Sequence, residues 1–522
     1  MTVTSTPVTE DPSLRSDSTA AADELACSAE TLSVRSRALR ASAWVVGSKP
    51  LGMAIQLARS LILTRLLFPE AFGLMALVGV ILQGLAMCSD VGIGPNIIQS
   101  KRGEDEKFLQ TAWTLQIIRG FVLWLICCAL AWPAAAFYGE PMLLYLLPVA
   151  GVSVLIAGFG TTAGPTHQRQ MKLGLMIVLG YAALLLNLVI MVLAAWWLRS
   201  VWALVIGSLS GNLIGVLIGH RFLPGVKHRF AWDRAALHEL VRFGKWVFIS
   251  TLLTFFAMQL DKLLLGKLIP MNLLGVYAIA LVLANLPREL LQQISGLVLM
   301  PALSEKFRDD RQRMHQKVSR ARGVLLRVGL LLCLGVAFIA PLFFQLYDER
   351  YAAAGWMAQL LAVSAWMTVL NATTGNALLA LGDSKALAAG NLLNVIVTLG
   401  GALGGYHLYG LPGFILGYAA GTAAGELTQG LWLRRHGIGV LRQDAAFTVV
   451  GTLAGAVVLL PSYWLEDRGH PFGPWAQFAI GLVAWSFMAI RVFPTIKQEL
   501  FGDRPIPGLG WLTRARSAVN AA

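Results

Sequence analysis

The chain reads as an all-α polytopic membrane protein of about fourteen transmembrane helices, arranged as two parallel six-helix lobes plus two C-terminal helices. Three observations lead there: a composition too apolar for solution, a succession of apolar runs of bilayer length, and an internal repeat. Of 522 residues, 56% are hydrophobic and only 13% are charged, and the mean hydropathy is +0.65. Soluble domains carry about twice that charged share. The formal net charge of +14 would suggest a nucleic-acid partner on a soluble chain, and its placement along this one decides against that.

Residues 1–41 are polar and rich in Ser, Thr and Ala, without an apolar core and cleavage site. They read as a disordered cytoplasmic tail rather than a signal peptide. Apolar runs then recur at 42–66, 71–97, 111–137, 142–164, 173–197, 200–220, 244–268, 272–301, 323–347, 354–381, 386–408, 411–433, 444–464 and 473–493. Each is near the roughly 20 residues a helix needs to cross a bilayer, and the connections are short and polar. Of the 42 Lys and Arg residues, 31 fall in the tails and in the loops on one side, 5 in the opposite loops, and 6 inside spans. The positive-inside rule therefore places both termini in the cytoplasm, 494–522 as a second tail. The cations at 221–245 and 302–322 become solvated cytoplasmic faces. Within 221–243, Trp232, Ala236, Leu240 and Phe243 share a helical face, which suits either an amphipathic interfacial helix or a plain linker.

Shifting the chain by 202 residues aligns 44–82 with 246–284 without a gap and gives a run of identities, Trp44/Trp246, Ser48/Ser250 and Gly73/Gly275 among them, with Arg65/Lys267 as a matched basic pair. At a shift of 210, Gly207, Gly211 and Gly215 recur as Gly417, Gly421 and Gly425. Glycine at every fourth position lets helix backbones approach closely. Asn187 pairs with Asn394 between these stretches. The lobes are therefore 42–220 and 244–433, with 434–493 as the added pair. An even number of spans per repeat makes the repeats parallel, and in transporters of such design the substrate site lies between them near the midplane.

Polar residues inside the spans line up in stripes. Lys49, Gln56 and Ser60 share a face of the first span, with Arg59 on its flank; Thr254 and Asp261 share one in the seventh, bordered by Lys262; Asn285, Arg288, Glu289, Gln292 and Ser295 form one in the eighth. In the second span Gln83 and Asp90 are seven apart. The repeat matches Gln83 with Asn285, Asp90 with Gln292 and Arg59 with Asp261. A charge at a helix centre costs about 2.5–3.5 kcal/mol even on lenient insertion scales, so whole stripes of polar groups point to a hydrated cavity. Lys49, Gln56, Arg59, Lys262, Asn285, Arg288 and Gln292 are the expected substrate contacts. Asp90, Asp261, Glu289 and Glu426 are candidates for ion coupling or for charge pairing, Asp261 with Lys262 or Arg59 and Glu289 with Arg288. Arg327 lies one turn inside its span and can snorkel, and Pro50 and Pro287 interrupt spans beside these charges.

Other chemistry is poorly supplied. The five Cys lie mainly in apolar stretches, as packing residues do. The eight His show no metal-ligand spacing, and no phosphate-binding glycine loop of the P-loop kind occurs. Neither a cofactor, a metal nor an enzymatic centre is expected.

The run Leu63-Thr-Arg-Leu-Leu-Phe-Pro-Glu-Ala-Phe-Gly73, with Asp90-Val-Gly-Ile-Gly94 and Ile97-Ile-Gln99, resembles the opening of the polysaccharide (Wzx-type) flippases. Leu274-Gly-Val-Tyr-Ala-Ile-Ala280, Met300-Pro-Ala-Leu-Ser304 and Asn376-Ala-Leu-Leu-Ala-Leu-Gly-Asp383 extend the resemblance over roughly 40–435. The family lies within the multidrug/oligosaccharidyl-lipid/polysaccharide exporter superfamily. The resemblance implies a bacterial inner-membrane protein that moves undecaprenyl-diphosphate-linked oligosaccharide to the periplasmic leaflet for exopolysaccharide or lipopolysaccharide synthesis. It also implies two lobes around a central cavity, and a polysaccharide polymerase and export machinery as partners. A glycan polymerase or ligase would need a large periplasmic loop, and the longest here is about ten residues. A drug/cation antiporter of the same superfamily would need a more acidic interior. An anionic lipid-linked cargo suits the cationic stripes, since Arg pairs with phosphate through its planar fork and Lys as a point charge.

Overall fold

The computed structural model describes residues 44, 47–89, 93–100, 102–170, 173–226, 228–292, 295, 311–467 and 473–501. Among them all regular structure is helical, and no strand is present. The helices are α1 (47–66), α2 (Pro69–Cys88), α3 (Ile93–Gln99), α4 (Glu106–Tyr138), α5 (Leu143–Gly158), α6 (Ala163–Arg169), α7 (Leu173–Leu198), α8 (Trp202–Phe222), α9 (Arg234–Leu268) and α10 (Met271–Ala284). They continue as α11 (Leu286–Gln292), α12 (Arg311–Phe344), α13 (Ala354–Ala380), α14 (Ser384–Arg435), α15 (Leu441–Asp467) and α16 (Gly473–Phe501). Eight helices among the described residues are long and apolar enough to cross a membrane, or ten if α5 with α6 and α10 with α11 are each one bent span. The chain is a multi-pass membrane protein.

Local sequence explains where these helices begin, break and end. Pro69 opens α2 at a position whose amide has no helical partner. The Asp105 side chain accepts from the Lys107 amide to cap α4, and Gly139 closes the helix at φ 72°. Asp383 caps α14 by accepting from the Ala386 amide. α14 turns back on itself at Gly410, whose φ of 64° and ψ of −144° only glycine adopts readily, with Pro412 just beyond. Its halves are called α14a (384–409) and α14b (411–435). α10 and α11 meet at 42°, so the interruption expected at Pro287 is a real bend, with Asn285 at the corner. Pro50 instead sits near the start of the described part of α1, which runs helically from 47 to 66.

The predicted linker 221–243 divides in two. Residues 223–226 and 228–233 are non-helical, and from Arg234 the chain continues as α9 without a break to Leu268. The non-helical part is strapped to the N-terminal helices. The Thr162 amide donates to His228 Nε2 at 3.1 Å, the Asp233 amide to Thr111 Oγ1 at 3.2 Å, and Asp233 pairs with Arg102 at 2.8 Å. Burial, with His220 alongside, pushes the His228 imidazole below its ordinary value, which suits an acceptor of the Thr162 amide.

α2 packs along α10 at the point where the repeat places Gly73 opposite Gly275. A Cβ on Gly73 would lie 2.1 Å from the Met271 carbonyl oxygen, and a Cβ on Gly275 would lie 1.8 Å from that of Pro69. Met271 is the repeat mate of Pro69, so the contact is reciprocal. The matched basic pair is reciprocal too. Arg65 at the end of α1 donates to the Leu346 carbonyl just beyond α12 at 3.0 Å, and Lys267 at the end of α9 donates to the Phe137 carbonyl at the end of α4. Cations at helix C-termini complement the exposed carbonyls there. These contacts gather that end of the bundle, along with Tyr351 Oη donating to the Leu67 carbonyl at 3.1 Å. The largest buried apolar cluster runs through the same helices, with Leu67, Leu77, Leu265, Leu274 and Tyr277 in it. Large apolar side chains such as Phe121, Trp132, Leu193 and Val483 lie exposed on the outside of the bundle, as a surface meant for lipid requires.

Candidate functional site

Away from that gathered end, the helices part around two adjoining cavities of about 660 Å³ and 520 Å³. α1 supplies Gln56, Arg59 and Ser60 to the first, α2 Gln83, α7 Asn187, α8 Ser208 and Asn212, α9 Lys262, and the α10–α11 corner Asn285 and Glu289. The second lies between α1 and α7, with Lys49 and Gly52 facing Tyr181 and Leu184. Gln56, Arg59, Asn187 and Glu289 line both cavities.

The charges on these walls are unequal: among the described residues, Lys49, Arg59 and Lys262 face a single carboxylate, Glu289. Lys262 Nζ donates to Gln259 Oε1 at 2.9 Å, and Gln259 Nε2 donates to Gln83 Oε1 at 2.9 Å. This relay links α9 to α2 and holds the Lys262 ammonium at the wall. Arg59 makes no hydrogen bond or ion pair among the described residues. A guanidinium with five donors, unpaired in a cavity walled by amides, is a receptor for an anion. The neighbouring Gln, Asn and Ser groups offer both donors and acceptors, as sugar hydroxyls require.

Of the substrate contacts expected from the stripes, Lys49, Gln56, Arg59, Lys262 and Asn285 come together here. Arg288 lines neither cavity. Gln292 lines neither and is exposed. The repeat pair Gln83 and Asn285 reaches the cavity from both sides, whereas Arg59 and Asp261 part company. Asp261 is buried and accepts from Tyr277 Oη at 2.7 Å, so its partner is that phenol rather than Lys262 or Arg59. Asp90 lies outside the described residues. Arg119 caps the end of α2, donating through Nη2 to the Ala86 carbonyl at 2.6 Å and through Nε to Ser89 Oγ at 3.0 Å.

Two groups escape the sequence reading. Asn187, Ser208 and Asn212 form the far wall of the first cavity. Ser208 and Asn212, four apart beside the glycine stripe, are the signal that could have found them. Arg322 counts as a loop cation by position, yet it is fully buried between Glu426 and Asp444. Glu426 pairs with Arg322 and lines neither cavity.

A family model described as polysaccharide biosynthesis protein matches residues 62–355. The teichuronic acid biosynthesis protein TuaB of Bacillus subtilis is 23% identical over 56% of this chain, and the match spans 61% of TuaB's own length. The succinoglycan biosynthesis transport protein ExoT of Rhizobium meliloti is 24% identical over 68% of this chain and 72% of its own. Among solved structures, the lipid II flippase MurJ in an inward closed conformation superposes with a TM-score of 0.65 at 12% identity, over 86% of this chain and 98% of MurJ.

Proposed function

The chain belongs to the polysaccharide biosynthesis protein family, and from that premise we propose that it is a flippase for lipid-linked oligosaccharide, moving a polyprenyl-diphosphate-linked repeat unit across the bacterial inner membrane. The observation that carries this reading is the unpaired Arg59 in a polar cavity with more cations than anions. A diphosphate needs fixed positive charge to leave the headgroup region, and Arg59, Lys262 and Lys49 supply it at three positions. Gln56, Gln83, Asn187, Asn212 and Asn285 are placed to exchange hydrogen bonds with the glycan. A cation antiporter would want the opposite balance of charge.

The layout proposed with this function has fourteen spans, two parallel six-helix lobes over 42–220 and 244–433, and an added pair over 434–493. The termini are cytoplasmic by the distribution of Lys and Arg. The reciprocal Gly73–Gly275 contact supports a pseudo-two-fold axis along the membrane normal. Alternating access is then a rocking of the lobes about that contact, with the Arg65 and Lys267 contacts breaking as the outer end opens.

The test is Arg59→Ala, read by analysis of lipid-linked intermediates. Loss of one charge-assisted contact of about 1.5 kcal/mol lowers export by about tenfold, and complete repeat units accumulate on the cytoplasmic side at unchanged protein level. Wild-type export at equal abundance removes Arg59 from the site. Single units that reach the outer face unpolymerised on deletion of the gene overturn the flippase reading in favour of a polymerase.

A further inference from the structure

Arg322 of α12 is the largest fully buried side chain of the described residues, and it lines neither cavity. Its Nε donates to Thr373 Oγ1 at 3.1 Å and its Nη2 to Thr374 Oγ1 at 2.9 Å, both on α13. Nη1 pairs with Asp444 Oδ1 of α15, and Nη2 with Glu426 Oε1 of α14b at 3.4 Å. Thr374 Oγ1 also contacts Glu426 Oε1 at 2.6 Å. Glu426 is 3% exposed and Asp444 6%. Four helices converge on this point.

Among the described residues the charges here do not balance. One guanidinium faces two carboxyl groups. Among the described residues, the cations Arg320, Lys385, Arg434, Arg435 and Arg442 are exposed, and Arg327 stacks over the Phe447 ring. Gln443 beside Asp444 and Gln429, one turn beyond Glu426, carry no charge. Two carboxylates would leave a net negative charge sealed in the protein, which costs several kcal/mol. The oxygens turned away from the guanidinium, Glu426 Oε2 and Asp444 Oδ2, are both buried without a hydrogen-bond partner. A single proton between them removes the excess charge and gives both oxygens a partner in one hydrogen bond. A metal cation fits poorly, because the guanidinium already occupies the shared face and would repel it.

We propose that Glu426 and Asp444 together bind one exchangeable proton, and that its presence holds α15 against α12 and α14b. The two carboxyls divide the roles. Asp444 lies in the first turn of α15, where the helix dipole favours the anion, and it takes the direct contact with Arg322. Glu426 carries the proton and donates it to Asp444 Oδ2. When the proton leaves, the unpaired charge pulls in water or pushes α15 away. α15, which has no repeat mate, thereby gains a role as the movable wall of a proton site. Proton binding stands whatever the cargo is, so its test does not use transport.

The test is infrared difference spectroscopy of the purified full chain in lipid nanodiscs across a pH series. It is paired with hydrogen exchange of α15 and compared with Glu426→Gln and Asp444→Asn. Glu426→Gln keeps an oxygen for Thr374 and tolerates the loss of charge. The wild type should show one protonated carboxyl band at neutral pH that disappears on alkalinisation, as exchange in α15 accelerates. Each variant should lack that band, and Glu426→Gln should keep α15 protected throughout. Absence of the band from the wild type, its persistence in both variants, or α15 exchange indifferent to pH in the wild type would each overturn the proposal.

Discussion

The same glycine stripe occurs twice and is used in two ways. On α14b, a Cβ added to Gly417 would lie 2.1 Å from the Gly401 carbonyl oxygen, and one on Gly421 would lie 1.9 Å from Thr398 Oγ1 and 2.7 Å from its amide nitrogen. On α8, the mates Gly207 and Gly211 face only side chains, Met191 and Asn187, and Gly215 faces open space. The C-terminal hairpin is closed backbone to backbone, while the N-terminal one meets through side chains and lends Asn187, Ser208 and Asn212 to the cavity. The partner helix makes the difference. α14a offers Thr398, Gly401 and Gly405 to the stripe, whereas α7 offers Asn187 and Met191. Small residues permit close approach only where both surfaces have them.

The comparison is broken most severely at Gly417. Gly417→Ala places its methyl group against a carbonyl of the facing backbone, where no rotamer change can help. The cost should reach or exceed about 3 kcal/mol, the upper part of the usual overpacking range, and little folded protein should be recovered from membranes. Gly207→Ala is the matched control. Its methyl group meets the flexible end of Met191, which can swing aside, so the loss should stay near 1 kcal/mol. Thermal unfolding of both variants in detergent measures the gap, and equal losses would show that backbone contact is not what separates the two hairpins.

The contrast also marks how far the sequence was legible. The apolar runs, the shifted identities and the polar stripes of α1, α2, α9 and α11 are readable in the sequence, and Lys49, Gln56, Arg59, Lys262 and Asn285 line the two cavities. What periodicity does not carry is the rotation of a helix about its axis. α10 and α11 meet at 42°, so a stripe drawn on one straight helix overreaches: Asn285 and Glu289 line the first cavity, and Arg288 and Gln292 do not. Arg322 was hidden for another reason. Its position counts as a loop by hydropathy, and only the fold of α13 and α15 over it reveals a buried ion pair.

A smaller effect, on activity rather than folding, is expected at Gly211, which lines the first cavity. Gly211→Leu should leave protein level near wild type, because the obstacle is the Asn187 amide at 3.0 Å and the cavity beyond offers room for it to move. Export should fall because the branched side chain occupies space the glycan needs. The mate Gly421→Leu should fail at the folding stage instead, so quantitative immunoblots beside an export assay separate the two. Normal export by Gly211→Leu would mean that the wall of α8 does not bound the path of the cargo.

The smallest effect belongs to Gly215, and its sign is informative. Nothing lies within 4 Å of an added Cβ there, and the helical backbone at that position has no need of glycine. Gly215→Ala should therefore raise stability by about 0.5–1 kcal/mol, because alanine loses less backbone freedom than glycine on entering a helix. At the mate, an added Cβ would meet Asn394 Cβ and the Gly390 carbonyl oxygen, both at 3.0 Å. Gly425→Ala must push those apart, and it should lower stability by about 1 kcal/mol. Opposite signs for one substitution at two repeat-related positions would place the asymmetry of the hairpins in their facing helices. If Gly215→Ala destabilises as much as Gly425→Ala, α8 is packed against a neighbour at that point, and the open N-terminal hairpin is not the resting arrangement.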